Sequence, residues 1–151
     1  MNWQYNPYDK RVISHKKLPG NVGYIKIPSF QQGLFNHEKF IEVFDSLENV
    51  SSLVVDIRDN GGGNSTYGDF ILRLICPDTI PALEWSSPKY IPVMKAWGRT
   101  VEPYIEKGNP LIPFSAQHSE IPKFEIPVVL LVNSNTFSAS EDFAATFRAA
   151  K

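Results

Sequence analysis

Nine of the chain's twelve prolines fall between Pro77 and Pro127. Proline has no backbone N–H to give, and inside a helix its ring collides with the preceding turn. No long helix can therefore run through that stretch, and most regular structure has to come from the two flanks. In the first flank, Val22–Pro28 reads as a strand. Asn36 can cap a helix running to about Leu47, with Phe40, Ile41, Phe44 and Leu47 on one face. Leu53–Ile57 is a short apolar run rich in β-branched residues, the mark of a buried strand. Helical spacing then resumes over Thr66–Ile75. In the second flank, the apolar run Pro127–Val132 leads into a helix-like segment ending at Lys151. Strand, helix, strand, helix predicts an α/β fold with parallel pairing and right-handed crossovers.

The remainder organises around these flanks. Residues 1–20 read as an extended lead-in, in which Trp3, Tyr5 and Tyr8 offer packing surface. Residues 21–151 form the core, interrupted by the proline-rich insertion at about 77–126. Within the insertion, Tyr90–Arg99 is an irregular strand candidate, and Trp85, Tyr90, Trp97, Tyr104 and Phe114 give it buried or adhesive surface. Two readings stand side by side: an excursion that covers a site and grips substrate, or an arm that packs on another domain or subunit.

Two junctions concentrate chemistry. The first is Asn133–Glu141, where a strand gives way to a helix. A serine placed there meets unpaired backbone N–H groups and the positive end of the helix dipole. Those conditions suit a serine nucleophile and the oxyanion its attack creates, so Ser138 is the leading candidate. The same residues fit a simpler role. Ser138-Ala139-Ser140-Glu141 matches S-x-x-E, the capping box of ordinary helices, and Thr136 is an alternative N-cap. The second junction is Leu53–Asn64 (LVVDIRDNGGGN), where a strand breaks into three glycines. Bare glycine backbone admits positive φ and close approach, and its N–H groups can form an anion nest. A flexible turn at Asn60-Gly61 is the plainer reading. No G-x-x-x-x-G-K-[ST] or G-x-G-x-x-G is present, which disfavours a phosphate loop. Nor is there a G-x-S-x-G elbow, which disfavours an α/β-hydrolase.

Three segments in order carry a resemblance: Val22–Phe30 (VGYIKIPSF), Leu53–Asn64, and Pro127–Glu141 (PVVLLVNSNTFSASE). Together they resemble the catalytic core of the tail-specific, or C-terminal processing, serine peptidases of family S41, which are related to the tricorn core. The likeness covers roughly residues 21–75 and 127–151. It implies a ClpP/crotonase-like core of β-β-α units, incomplete because the chain stops at Lys151. It also implies a polypeptide substrate, no cofactor, and Ser138 as nucleophile. The Ala139 N–H would donate to the oxyanion. A second donor would come from the glycine pair closing D-x-R-x-N-x-G-G, with Gly62 favoured and Gly63 the alternative. Asp56, Arg58 and Asn60 would shape that loop.

The general base is the open position. The family commonly uses a lysine beyond the helix that starts at the serine, and other branches use a histidine. Lys151 lies thirteen residues past Ser138, and at ~1.5 Å rise per residue that is roughly 20 Å along a helix, out of reach. Arg148 is removed by the same reasoning. The base is therefore expected beyond Lys151, and the 151-residue chain alone is expected to have little or no activity. His15, His37 and His118 have no support beyond residue type: His37 reads as an exposed residue at a helix start, and His118 sits in a polar patch. Ser14–Lys17 matches S-x-x-K but lacks the accompanying S-D-N and K-T-G, and reads as a solvated basic turn.

Composition bounds the remaining classes. A formal charge of −1 gives no reason to expect nucleic acid as partner. No apolar run is long enough to span a bilayer, no signal peptide is visible, and the compartment stays open. Cys76 is the single cysteine, which excludes an intrachain disulfide and a Cys-rich metal site; it reads as a small core residue. No H-E-x-x-H is present, so no metal is assigned. Partners beyond substrate are a second copy, through exposed sheet edges, or missing domains. Two other functions remain: a ligand-binding module on the same core, like the retinoid-binding protein of the eye, and an interaction domain using the Trp/Tyr-rich middle.

Overall fold

The computed structural model describes residues 12–76, 96–98 and 125–150. Four strands form one sheet in the order β1-β2-β3-β4. These are β1 (Ser14–Leu18), β2 (Val22–Lys26), β3 (Ser52–Asp56) and β4 (Val128–Leu131). β1 runs antiparallel to β2, with Lys16 opposite Tyr24. β2 and β3 are parallel, Ile25 opposite Val55, and so are β3 and β4, Val55 opposite Leu130. Among the described residues three helices pack with the sheet: α1 (His37–Asp45), α2 (Ser65–Ile75) and α3 (Ala139–Ala149).

The expected alternation is present. The connections β2-α1-β3 and β3-α2-β4 step across the sheet in one direction. Right-handed crossovers then put both helices on the same face. The core follows: Ile25, Ile27, Leu53, Val55 and Ile57 from the sheet are fully buried against Phe40, Val43 and Phe44 of α1, Ile71 and Leu72 of α2, and Phe143 of α3. Period-2 alternation turns Tyr24, Val54 and Asp56 to the opposite face. α2 and α3 meet closely at Gly68, where an added Cβ would sit 3.2 Å from the Phe143 ring. Asn36 caps α1 as its residue type predicts, its side chain accepting from Lys39 N–H at 2.7 Å.

Three expectations change. Ser14–Leu18, read as part of a lead-in with a basic turn, is a strand of the sheet. Its pattern S-H-K-K-L carries no apolar alternation because it is an edge, where exposed charge is the usual protection. That strand also sends Ser14 and Lys17 to opposite faces, which removes any S-x-x-K partnership. The helix predicted to Leu47 ends at Asp45 and continues as a turn, with Leu47 N–H bonded to Phe44 O at 3.0 Å. Within the predicted irregular strand, Ala96 is helical and Trp97–Gly98 is a turn, and Gly98 has φ of 68°. Residues 77–95 and 99–124 of the proline-rich insertion, His118 among them, lie outside the described residues, as do residues 1–11 with Trp3, Tyr5 and Tyr8, and Lys151.

Candidate active site

The site is assembled at the carboxyl ends of β3 and β4. β3 ends on Asp56, whose side chain is fully buried yet ionised. Burial by itself would push the carboxyl pKa up. Arg58 Nε and Nη2 donate to it at 2.9 and 2.6 Å, Tyr24 O–H at 2.5 Å and Arg58 N–H at 3.0 Å. These bonds to the charged form outweigh desolvation and hold the group at about 2. They also lock the chain as it leaves the strand. In turn, burial and the Asp56 carboxylate raise the Tyr24 phenol above its ordinary value.

The loop that follows is ordered by Asn60, which is fully buried. Its Nδ2 donates to Ile27 O at 3.1 Å, and its Oδ1 accepts from Gly62 N–H at 2.9 Å. Gly62 and Gly63 take φ of 90° and 138°, values that side-chain-bearing residues rarely adopt. Gly63 pairs with Phe30: Phe30 N–H bonds Gly62 O at 3.0 Å, and Asn64 N–H bonds Phe30 O at 2.7 Å. In such a parallel bridge the N–H of the middle residue, Gly63, points away from Phe30. Among the described residues that amide has no acceptor. Asn64 then caps α2, accepting from Thr66 N–H at 3.1 Å.

β4 feeds a turn, Asn133–Phe137, and then α3. Thr136 is not the N-cap; its hydroxyl donates back to Ile57 O at 3.1 Å. Ser138 is the N-cap, with φ 56° and ψ −126°. Those are the dihedrals of the first central residue in a type II′ turn, a place dominated by glycine. A serine held there is strained, and strain of this kind gathers at functional sites. The G-x-S-x-G sequence is absent, yet the local geometry is the same kind of sharp strand-to-helix turn. Ser138 is exposed. Glu141 Oε2 accepts from Ser138 N–H at 2.8 Å, the return half of a capping box, while Glu141 N–H goes to the Ser138 backbone carbonyl at 2.7 Å. Ala139 N–H, at the first position of the helix, has no acceptor among the described residues.

The two junctions meet. A Cβ added to Gly62 would lie 2.6 Å from Phe137 O, 2.9 Å from Ser138 Cβ and 3.0 Å from Ala139 N. Phe137 N–H also bonds Asn60 O at 3.0 Å. Of the two glycine amides named from sequence, Gly62's donates to Asn60 Oδ1, while Gly63's has no acceptor among the described residues.

The described histidines are elsewhere. His15 is exposed on β1, the edge opposite β4. His37 is exposed at the start of α1, as expected, but its ring also meets Phe35, Tyr67 and Phe70 at centroid distances of 5.3, 5.2 and 4.7 Å. Cys76 is buried at the end of α2. The carboxyl pKa of Asp69 on α2 and of Asp142 on α3 is raised from its ordinary value, chiefly because burial penalises the charge. Among the described residues no group of His, Cys, Asp and Glu is placed to hold a metal, and no helix is long and apolar enough to cross a membrane.

Against this geometry stand the comparisons with known proteins. Residues 21–151 match the model of Peptidase family S41. The chain belongs to peptidase family S41. A candidate peptidase from Parabacteroides merdae superposes with a TM-score of 0.67 at 23% identity, covering 90% of this chain and 39% of that one. Mature CPAF, solved with lactacystin, gives 0.62 at 16% identity, covering 91% and 38%. The photosystem II D1 C-terminal processing protease gives 0.50 at 26% identity, covering 87% and 30%. The chain thus spans less than two fifths of the length of these structures.

Proposed function

We propose that this chain is the nucleophile-bearing part of a serine peptidase that hydrolyses peptide bonds in polypeptides. The observation that carries the proposal is Ser138: exposed, strained, at the N-terminus of α3 and pressed against Gly62. Its Oγ attacks the scissile carbonyl carbon, the C=O π pair moves onto oxygen, and a tetrahedral oxyanion forms. Ala139 N–H and Gly63 N–H are the donors for that oxyanion, since neither has another acceptor among the described residues. Gly62 contributes by its missing side chain, which lets the loop lie against the Ser138 turn. A general base takes the serine proton and returns it to the leaving amine as the C–N bond breaks, and water then cleaves the acyl-serine ester to release the acid and restore the serine. His15 is three strands from β4, on the order of 14 Å at ordinary strand spacing, and is not that base. The parallel β2-β3-β4 order with helices on one face suits a crotonase-like core of β-β-α units. No cofactor enters the chemistry.

The test is fluorophosphonate labelling of the full-length protein that contains this chain, read by intact mass, with casein turnover in parallel. One adduct at Ser138, lost together with turnover in Ser138→Ala, is expected. A folded protein that neither labels nor cleaves casein overturns the peptidase proposal and points to a binding module.

A further inference from the structure

The turn presenting Ser138 is tied to the glycine loop by a second set of contacts, separate from those of Gly62. Asp59 takes a left-handed φ of 65°. Its Oδ1 accepts from Asn133 Nδ2 at 3.0 Å and from Asn135 Nδ2 at 2.9 Å. Its N–H donates to Asn133 Oδ1 at 3.0 Å. Asn133 and Asp59 are thus paired in both directions, although 74 residues separate them. Asn133 Oδ1 also accepts from Asn135 N–H at 3.1 Å. Asn133 N–H bonds Thr136 Oγ1 at 3.1 Å.

Asn133 and Asn135 are exposed and Asp59 is half-buried. Polar contacts of that kind add little net stability, because water competes for the same groups. What they do supply is orientation. The Ser138 conformation is a costly one and persists only where its surroundings over-determine it. We infer that Asp59 is a positioning residue for Ser138. Acting through Asn133 and Asn135, it holds the Asn133–Phe137 turn against the glycine loop. Ser138 thereby keeps its strained backbone, and the Ala139 amide stays beside Gly62. The catalytic consequence rests on the peptidase proposal; the clamp itself does not.

Two substitutions separate orientation from bulk stability. Asp59→Gly keeps the left-handed backbone at no steric cost and removes the acceptor. Asp59→Asn keeps both the backbone preference and an Oδ1 acceptor. In the full-length protein, Asp59→Gly should lower kcat for casein at least about tenfold with KM nearly unchanged, since small misplacements are costly to rate. It should also speed amide hydrogen exchange at Thr136 and Phe137 relative to the core strands. Asp59→Asn should recover most of both. Unaltered exchange at these amides in Asp59→Gly overturns the inference, and so does Asp59→Asn as impaired as Asp59→Gly. If the wild-type protein cleaves nothing, the peptidase proposal fails, and hydrogen exchange alone decides the clamp.

Discussion

Gly62 and Ser138 touch so closely that a methyl group on the glycine would stand 2.9 Å from the serine Cβ and 2.6 Å from the preceding carbonyl. That contact joins two loops that are far apart in sequence. Gly62→Ala meets both this collision and a φ of 90°. Positive φ costs a non-glycine residue about 1–2 kcal/mol, and overpacking adds about 1–3 kcal/mol. Chemical denaturation should show a loss of at least about 2 kcal/mol, with slower phosphonylation of Ser138 in whatever remains folded.

Ser138 carries φ 56° and ψ −126°. Alanine and glycine at this position should therefore differ in an unusual direction. Both remove the proposed nucleophile and, on the peptidase proposal, should lower hydrolysis by at least about a thousandfold. Yet glycine relaxes the backbone where alanine keeps it strained, so Ser138→Gly should be the more stable by about 1 kcal/mol. Thermal unfolding of the two variants checks this. A less stable glycine variant would mean that the serine backbone is not strained in solution.

Asp56 sets the acid limit of the sheet. Its pKa falls from 3.8 to about 2 on folding. The native state therefore binds the proton less readily than the unfolded chain does. Stability from this group is fully present above about pH 4 and drains away as pH falls from 3.8 towards 2. The amount is on the order of 2 kcal/mol for a shift of this size. Asp56→Asn should flatten that window in urea titrations at stepped pH, while losing about 1.5–3 kcal/mol at neutral pH with the charge-assisted bonds.

Asp69 has the opposite sign. Burial raises its pKa, with Asp142 adding to the rise and Arg73 opposing it. The charged carboxylate is thus less welcome in the fold than in the unfolded chain, and protonation favours folding. Asp69→Asn should be neutral or slightly stabilising at pH 7, with the gain shrinking as pH is lowered through the carboxylate range. A clear destabilisation at pH 7 would refute it.

Much of the scaffold was legible because its signals are local. Leu53–Ile57 reads as a buried strand from β-branched residues alone, and β3 is found at Ser52–Asp56. Asn36 caps a helix where its side chain can reach a free N–H group. Ser14–Leu18 was not legible, since an edge strand shows charge where a buried strand shows alternation. The Asp59 clamp was equally hidden. Asp and Asn in turns signal only that a turn exists, and nothing in the residue types says that position 59 pairs with positions 133 and 135.

From the linear chain alone come the alternation of strand and helix, the membership suggested by three ordered segments, and Ser138 as the residue to watch. Periodicity, turn chemistry and capping are properties of neighbouring residues, so a string of letters carries them. Which glycine amide is uncommitted was settled only by folding, because Asn60 reaches Gly62 and leaves Gly63. The left-handed backbone of Ser138 was likewise decided in three dimensions. A hydrogen bond or a strained dihedral depends on what is brought within about 3 Å, and for these loops that neighbour arrives from the other end of the chain.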